Sequence, residues 1–168
     1  PAVAGHPVIS GLLDGRKLIC LARGNGSTVM AYDKDTGQEL WRALSAKEPG
    51  YCPPVIIEAG GRRQLIVWHP ESINSLDPET GRVYWTHPLN PVVRSGMTIP
   101  TPRKHGDLLF FSSFYNGSVM LRLAPDKPGA TLVWQSKKVS ETDTDGLHSV
   151  MSPPVLEGGH IYRPCSYG

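Results

Sequence analysis

Short apolar or alternating runs, each broken off at glycine or proline, fill the chain from end to end. Residues 55–58 form a β-branched run, Gly60-Gly61 offers a turn, and residues 64–68 form a second apolar run. His69-Pro70-Glu71 connects to residues 73–77, which alternate apolar with polar. Pro78-Glu79-Thr80-Gly81 then turns the chain: Pro78 presets φ, Asp77 caps the turn, and Gly81 accepts positive φ without a Cβ penalty. Residues 82–86 close the unit, with Val83 and Trp85 expected on one face and Tyr84 on the other. The pattern predicts four antiparallel strands. Gly24-Asn25-Gly26 and Asn116-Gly117 supply hairpin signals in two further units, where they are read as equivalents of the third turn.

The unit repeats. Ala31-Tyr-Asp33-Lys-Asp-Thr36-Gly37-Gln-Glu-Leu-Trp41 recurs as Ser75-Leu-Asp77-Pro-Glu-Thr80-Gly81-Arg-Val-Tyr-Trp85, with Asp, Thr, Gly and Trp at identical spacing. A looser copy runs from Leu121 to Trp134, where Ala124 stands at the Asp position and two extra residues precede the Trp, which predicts a longer turn. A second signal repeats in phase: Pro7-Val-Ile9, Pro54-Val-Ile56 and Pro154-Val-Leu156 each precede a Gly-containing turn, and Thr101-Pro102 is a weaker member. The common period is about 46 residues. A four-stranded sheet of this kind cannot bury both faces alone, whereas radial stacking lets each sheet cover the next. The chain is therefore expected to be all-β, a β-propeller with no helix beyond a turn. Trp41, Trp85 and Trp134 are expected to pack between neighbouring sheets; Trp68 lies outside the repeat.

The A-x-D-x-x-T-G-x-x-x-W pattern resembles the repeat of the PQQ-like β-propellers, also called the tryptophan-docking motif. That family includes quinoprotein alcohol dehydrogenases and BamB-like outer-membrane assembly factors. Ala31, Asp33, Thr36, Gly37 and Trp41 match it in full, and Asp77, Thr80, Gly81 and Trp85 match with Ser75 at the Ala position. The segment from residue 96 to residue 168 is also similar to planctomycete PQQ-like repeat proteins. The resemblance implies a periplasmic, cell-envelope or secreted location. At this period the 168 residues make about three and a half four-stranded blades, fewer than the four to eight of a closed ring. Units at about 1–48, 49–93, 94–145 and an incomplete 146–168 are expected, as part of a larger ring. Such an arc expressed alone is expected to be unstable or to self-associate. Pro1 to His6 show no signal-peptide pattern, which carries no weight if the natural start lies elsewhere.

Composition changes the picture little. Eighteen glycines and sixteen prolines leave little room for long helices. Seventeen basic against fifteen acidic residues give no argument for nucleic acid, and no apolar run suits a transmembrane segment. Cys20, Cys52 and Cys165 form no CxxC pair, and Cys20 and Cys165 read as small apolar residues on strands.

The quinoprotein dehydrogenases of this family hold PQQ and calcium, using adjacent cysteines, an Asp base, and Glu and Asn ligands. No adjacent Cys pair occurs here, and Glu141, Asp143 and Asp145 read as a solvated loop. No catalytic or metal-binding residue is assigned, and no cofactor is evident. Function in propellers lives on the end face formed by blade-joining loops and alternate hairpin turns. Residues 46–51, 90–97 and 140–149 are those loops, and they carry Tyr51, Arg94 and His148. The turns at the same end carry His69, Tyr115, Asn116 and Tyr167. Such a set suits an anion, a sugar or a peptide. The expected role is a non-enzymatic scaffold for a protein partner or small ligand, with a PQQ-dependent alcohol or sugar dehydrogenase as the alternative. Asn25-Gly-Ser27 and Asn116-Gly-Ser118 match the glycosylation sequon but read first as turns.

Overall fold

The computed structural model describes residues 11–22, 24–89, 97–138 and 145–162. Fourteen strands and no helix occupy them. β1 (Gly11–Asp14), β2 (Lys17–Leu21), β3 (Val29–Asp33) and β4 (Glu39–Ala43) form the first sheet in simple up-and-down order. β5 (Val55–Ala59), β6 (Arg62–His69), β7 (Ser72–Leu76) and β8 (Val83–Pro88) form the second. β9 (Arg103–His105), β10 (Leu108–Ser113), β11 (Gly117–Leu123) and β12 (Ala130–Gln135) form the third, and β13 (Val155–Glu157) pairs with β14 (His160–Tyr162). All pairings are antiparallel. The strand expected around Pro7 to Ile9 lies outside the described residues.

The repeated Asp-x-x-Thr-Gly is a turn built by side-chain acceptance. One carboxylate oxygen of Asp33 takes the backbone N–H groups of Asp35 and Thr36, each at 3.0 Å, and the Thr36 hydroxyl at 3.1 Å. The Gly37 amide donates to the Asp33 carbonyl at 2.8 Å with φ 72°, a left-handed geometry that favours glycine. Asp77 repeats this, accepting from Glu79 N at 2.8 Å while Gly81 N donates to its carbonyl at 2.9 Å. Hydrogen bonds led by that from the Thr36 amide hold the Asp33 carboxyl below its usual range. At Asp77 burial pushes upward, but the donors of Glu79, Tyr84 and Thr80 outweigh it. The third copy corrects the expectation of a longer turn. Ala124 N donates to Gly129 O at 2.9 Å, spanning the same interval as Asp33 to Gln38. The extra length sits in the strands, since β11 has seven residues where β3 has five.

Consecutive sheets pack face to face. Ile19, Leu21, Val29, Ala31 and Trp41 of the first sheet share one core with Leu65, Val67 and Leu76 of the second. Ile66, Trp68 and Ile73 share the next with Leu109, Phe111, Val119, Leu121 and Leu123 of the third, and Trp85 packs against it. This is a partial β-propeller, and its second sheet is covered on both faces. The polar positions of the alternating β7 are accordingly buried too, Asn74 at 2% exposure and Ser75 at 0%. Ser75 Oγ donates to Gln64 Oε1 at 2.7 Å, and Trp85 Nε1 donates to the same oxygen at 2.9 Å. The hydroxyl that departs from the Ala pattern thus helps hold the indole of Trp85.

Val83 and Trp85 do not share a face. Val83 pairs with Leu76 and Trp85 with Ser75, so Tyr84 is the extra residue of a β-bulge, which strict alternation does not anticipate. The bulge recurs at Ala31/Tyr32 and Met120/Leu121. Trp41 is 9% exposed and lies on Gly81 of the next sheet, where an added Cβ would stand 2.6 Å from its ring. Trp134 is 37% exposed, with its ring 5.9 Å from Phe110.

Four alternating charges tie the first two sheets at the turn-bearing end. Lys17 Nζ lies 3.4 Å from Asp14 and 2.8 Å from Glu79, while Arg63 reaches Asp14 at 2.5 Å and Glu79 at 3.7 Å. Burial raises the Asp14 carboxyl, but the Arg63 hydrogen bond and the charges of Lys17 and Arg63 bring it below the ordinary value. A depressed carboxyl stabilises the fold above its unfolded pKa of about 4 and loses that contribution as pH falls through the native value. Thermal melts are expected to drop as pH descends below about 4, and Asp14→Asn should flatten part of that slope. An unchanged acid limb in the variant would remove Asp14 from the account.

Candidate functional site

Antiparallel order puts the blade-joining loops and the β2–β3, β6–β7 and β10–β11 turns at one end of the sheets. The loops before the second and third sheets run together there. Tyr51 N donates to Thr98 O at 3.1 Å, and Cys52 Sγ lies 3.5 Å from Pro100 O. Gly50, at φ 76°, backs onto Thr98 so closely that a Cβ would stand 2.1 Å from its hydroxyl oxygen. Tyr51 projects outward at 48% exposure.

The next junction is bound more heavily. Asp145 is exposed, and its carboxylate accepts from Lys137 N at 3.0 Å and Lys138 N at 3.1 Å, which fastens the loop; Glu141 and Asp143 lie outside the described residues. Those donors hold the Asp145 carboxyl below the usual range. Ser112 Oγ donates to Leu147 O at 2.6 Å, the Ser118 hydroxyl donates to the same carbonyl, and Ser149 N donates to Ser112 Oγ at 2.9 Å. His148 is 1% exposed and its Nδ1 lies 2.8 Å from Phe114 O, so Nδ1 carries the proton and donates. Directly above, Phe114 and Tyr115 meet edge-on at 4.7 Å, with Tyr115 and Asn116 half-buried.

His69 is buried as well, at 2% exposure. Its Nδ1 lies 3.3 Å from the Glu71 amide, and its Nε2 lies 3.0 Å from Ser72 Oγ and 3.2 Å from Asn74 Nδ2. Asn74 completes the cluster, donating to Ser72 Oγ at 2.8 Å and accepting from Thr86 Oγ1 at 2.9 Å. Burial lowers the His69 pKa against the opposing charge of Glu71, keeping the ring neutral at physiological pH. Both expected histidines therefore brace the end face from beneath, while Tyr51, Tyr115 and Asn116 stand at its surface. Arg94 and Tyr167 lie outside the described residues.

Beside them is a groove that the sequence did not single out. Gly24, Asn25, Ser45, Ala46, Lys47 and Glu71 line about 400 Å³ between the β2–β3 and β6–β7 turns. Leu44, with φ 65°, redirects the chain at its rim. No sequence signal marks a leucine for that conformation. A smaller cavity of about 270 Å³ lies between the third and fourth sheets, walled by Met120, Trp134, Leu156 and Ile161 with His105 and His160 alongside.

Neither described cysteine offers a reactive thiolate. Burial raises the Cys20 thiol and pushes that of Cys52 to about 12. Cys165 lies outside the described residues. Among the described residues no three His, Cys, Asp or Glu side chains converge. Among them, too, no helix is long and apolar enough to cross a membrane.

Comparison with known proteins agrees with this architecture. No protein of curated function matches the sequence. Among solved structures, the crystal structure of BamB from Moraxella catarrhalis superposes with a TM-score of 0.53 at 16% identity, over 86% of this chain. The chain spans 41% of that BamB structure's length, and at this identity the likeness concerns the fold alone. A family model described as outer membrane protein assembly factor BamB matches residues 3–164. With nearly its whole length matched, and with Asp-x-x-Thr-Gly turns between sheets stacked face to face, the chain belongs to the BamB-like family of PQQ-type propeller repeats.

Proposed function

We propose that this chain is a non-enzymatic binding and scaffold domain of the bacterial cell envelope, holding a protein partner or small ligand on its loop-bearing end face. One observation carries the reading. The loops on that face are fixed by hydrogen bonds through Thr98, Ser112, Ser118, Asp145 and His148, leaving tyrosines at the surface. A preorganised rim with amphipathic aromatic side chains suits recognition, because little ordering entropy is lost on contact. Burial raises the Cys52 thiol, and His69 is closed within its own hydrogen-bonded cluster with Ser72 and Asn74. The envelope reading is supported by the family, whose model is named for an outer-membrane assembly factor.

Photo-crosslinking residues placed at Tyr51 and Tyr115, with controls at Asp35 and Arg62 on the opposite end, test the proposal. Crosslinks are expected at the first pair, competed away by excess unmodified protein. Equal labelling at both ends would sink the end-face reading. The same protein supplied with PQQ and calcium is expected to reduce no dye in the presence of an alcohol. Turnover abolished by a chelator would instead make it a dehydrogenase.

A further inference from the structure

We propose that Asn25 is a site of spontaneous deamidation, and that Ser45 promotes it. Asn25 and Gly26 occupy the two central positions of a turn closed by Ser27 N donating to Gly24 O at 3.3 Å, with Gly26 at φ 71°. Asn25 is exposed. The Ser45 hydroxyl bridges the two groups that must react: it accepts the Gly26 N–H at 2.8 Å and donates to Asn25 Oδ1 at 2.9 Å. This contact joins residues twenty positions apart and depends on the backbone before it. Leu44 is left-handed, at φ 65°, a conformation that a branched side chain adopts only when its surroundings impose it. The Leu44 carbonyl accepts Thr28 N at 3.2 Å, which fixes the bend that brings Ser45 over the turn.

The chemistry balances on these atoms. Gly26 N attacks Asn25 Cγ and passes its proton to Ser45 Oγ, which releases its own proton to Oδ1. The resulting hydroxyl proton moves to Nδ2, the Cγ–Nδ2 bond breaks, ammonia leaves, and a five-membered succinimide remains. Water then opens either imide bond, giving aspartate or isoaspartate at position 25. The serine ends unchanged. Because Asn25, Ser45, Lys47 and Glu71 share one groove, the product adds a negative charge to the end face and, as isoaspartate, an extra backbone carbon to its turn.

Asn116-Gly117 in the same molecule is an internal clock. The full chain is incubated at neutral pH and digested, and the mass gain at each asparagine is followed with time. Asn25 is expected to convert through a detectable succinimide, and Ser45→Ala should slow it several-fold while Asn116 keeps its rate. An Asn25 rate unchanged or increased in Ser45→Ala, with Asn116 constant, would overturn the proposal. If alanine loosens the fold, both sites accelerate together, and the near-isosteric pair Ser45→Thr and Ser45→Val decides. Threonine keeps the hydroxyl and should react faster than valine; equal rates would overturn the relay.

Discussion

Trp41→Ala is expected to cost about 3–5 kcal/mol of unfolding free energy, in line with large aromatic truncations in packed cores. The side chain is 9% exposed and belongs to the core shared by the first and second sheets. Its ring covers Gly81, across a sheet boundary, at a distance that leaves no room for a methyl group. Gly81→Ala should therefore be destabilising twice over, from the left-handed backbone and from displacing the indole. The two changes are expected not to add: with the ring gone, the methyl has space, and only the backbone strain remains. Chemical denaturation of the two single variants and the double variant measures that coupling. Full additivity would mean that Trp41 and Gly81 contribute independently and that the sheets are not joined at this point.

Gly60→Val is expected to be the more disruptive change, because its clash is with backbone. Gly60 sits in the β5–β6 turn at φ 57°, and an added Cβ would stand 2.1 Å from the Lys127 carbonyl oxygen of the third sheet. A flexible side chain yields to such an intrusion, but the peptide of a six-residue turn does so only by shifting the hairpin. Gly61, its neighbour, also has positive φ but has open space around it. Gly61→Val thus reports the backbone penalty alone, of order 1 kcal/mol. The difference between the two variants isolates the packing of the second sheet on the third. Equal midpoints would leave that contact without weight.

The strands and the sheet order were legible because glycine and proline mark each turn and because two motifs repeat in phase. The Asp-x-x-Thr-Gly turn was legible to the level of its hydrogen bonds, since a carboxylate two or three residues before amide donors has few other uses. What escaped depends on distance in sequence. The bulge at Tyr84 arises from pairing with β7, and the extra length of the third hairpin follows from where β12 meets β11. The same holds for part of the end face. Loop positions placed Tyr51 and Tyr115 near it, but the burial of His148 involves a neighbour tens of residues away, Phe114, and His69 is enclosed by a side-chain cluster with Ser72 and Asn74 that no motif marks. The groove of Asn25 and Ser45 needed a left-handed leucine, which nothing in the order of residues announces.

Because β6 and β7 are buried on both faces, the second sheet takes part in two cores at once. A sheet in that position cannot open without uncovering its neighbours on either side, so its amides exchange with solvent only when the arc comes apart as a whole. The outer strands β4, β8 and β12, each with exposed apolar residues, can fray singly. Time is thus graded radially in this molecule: slow towards the middle strands of the second sheet, fast at the rim, and the loop that carries Tyr51 lies against the slow part where Gly50 meets the backbone of Trp68.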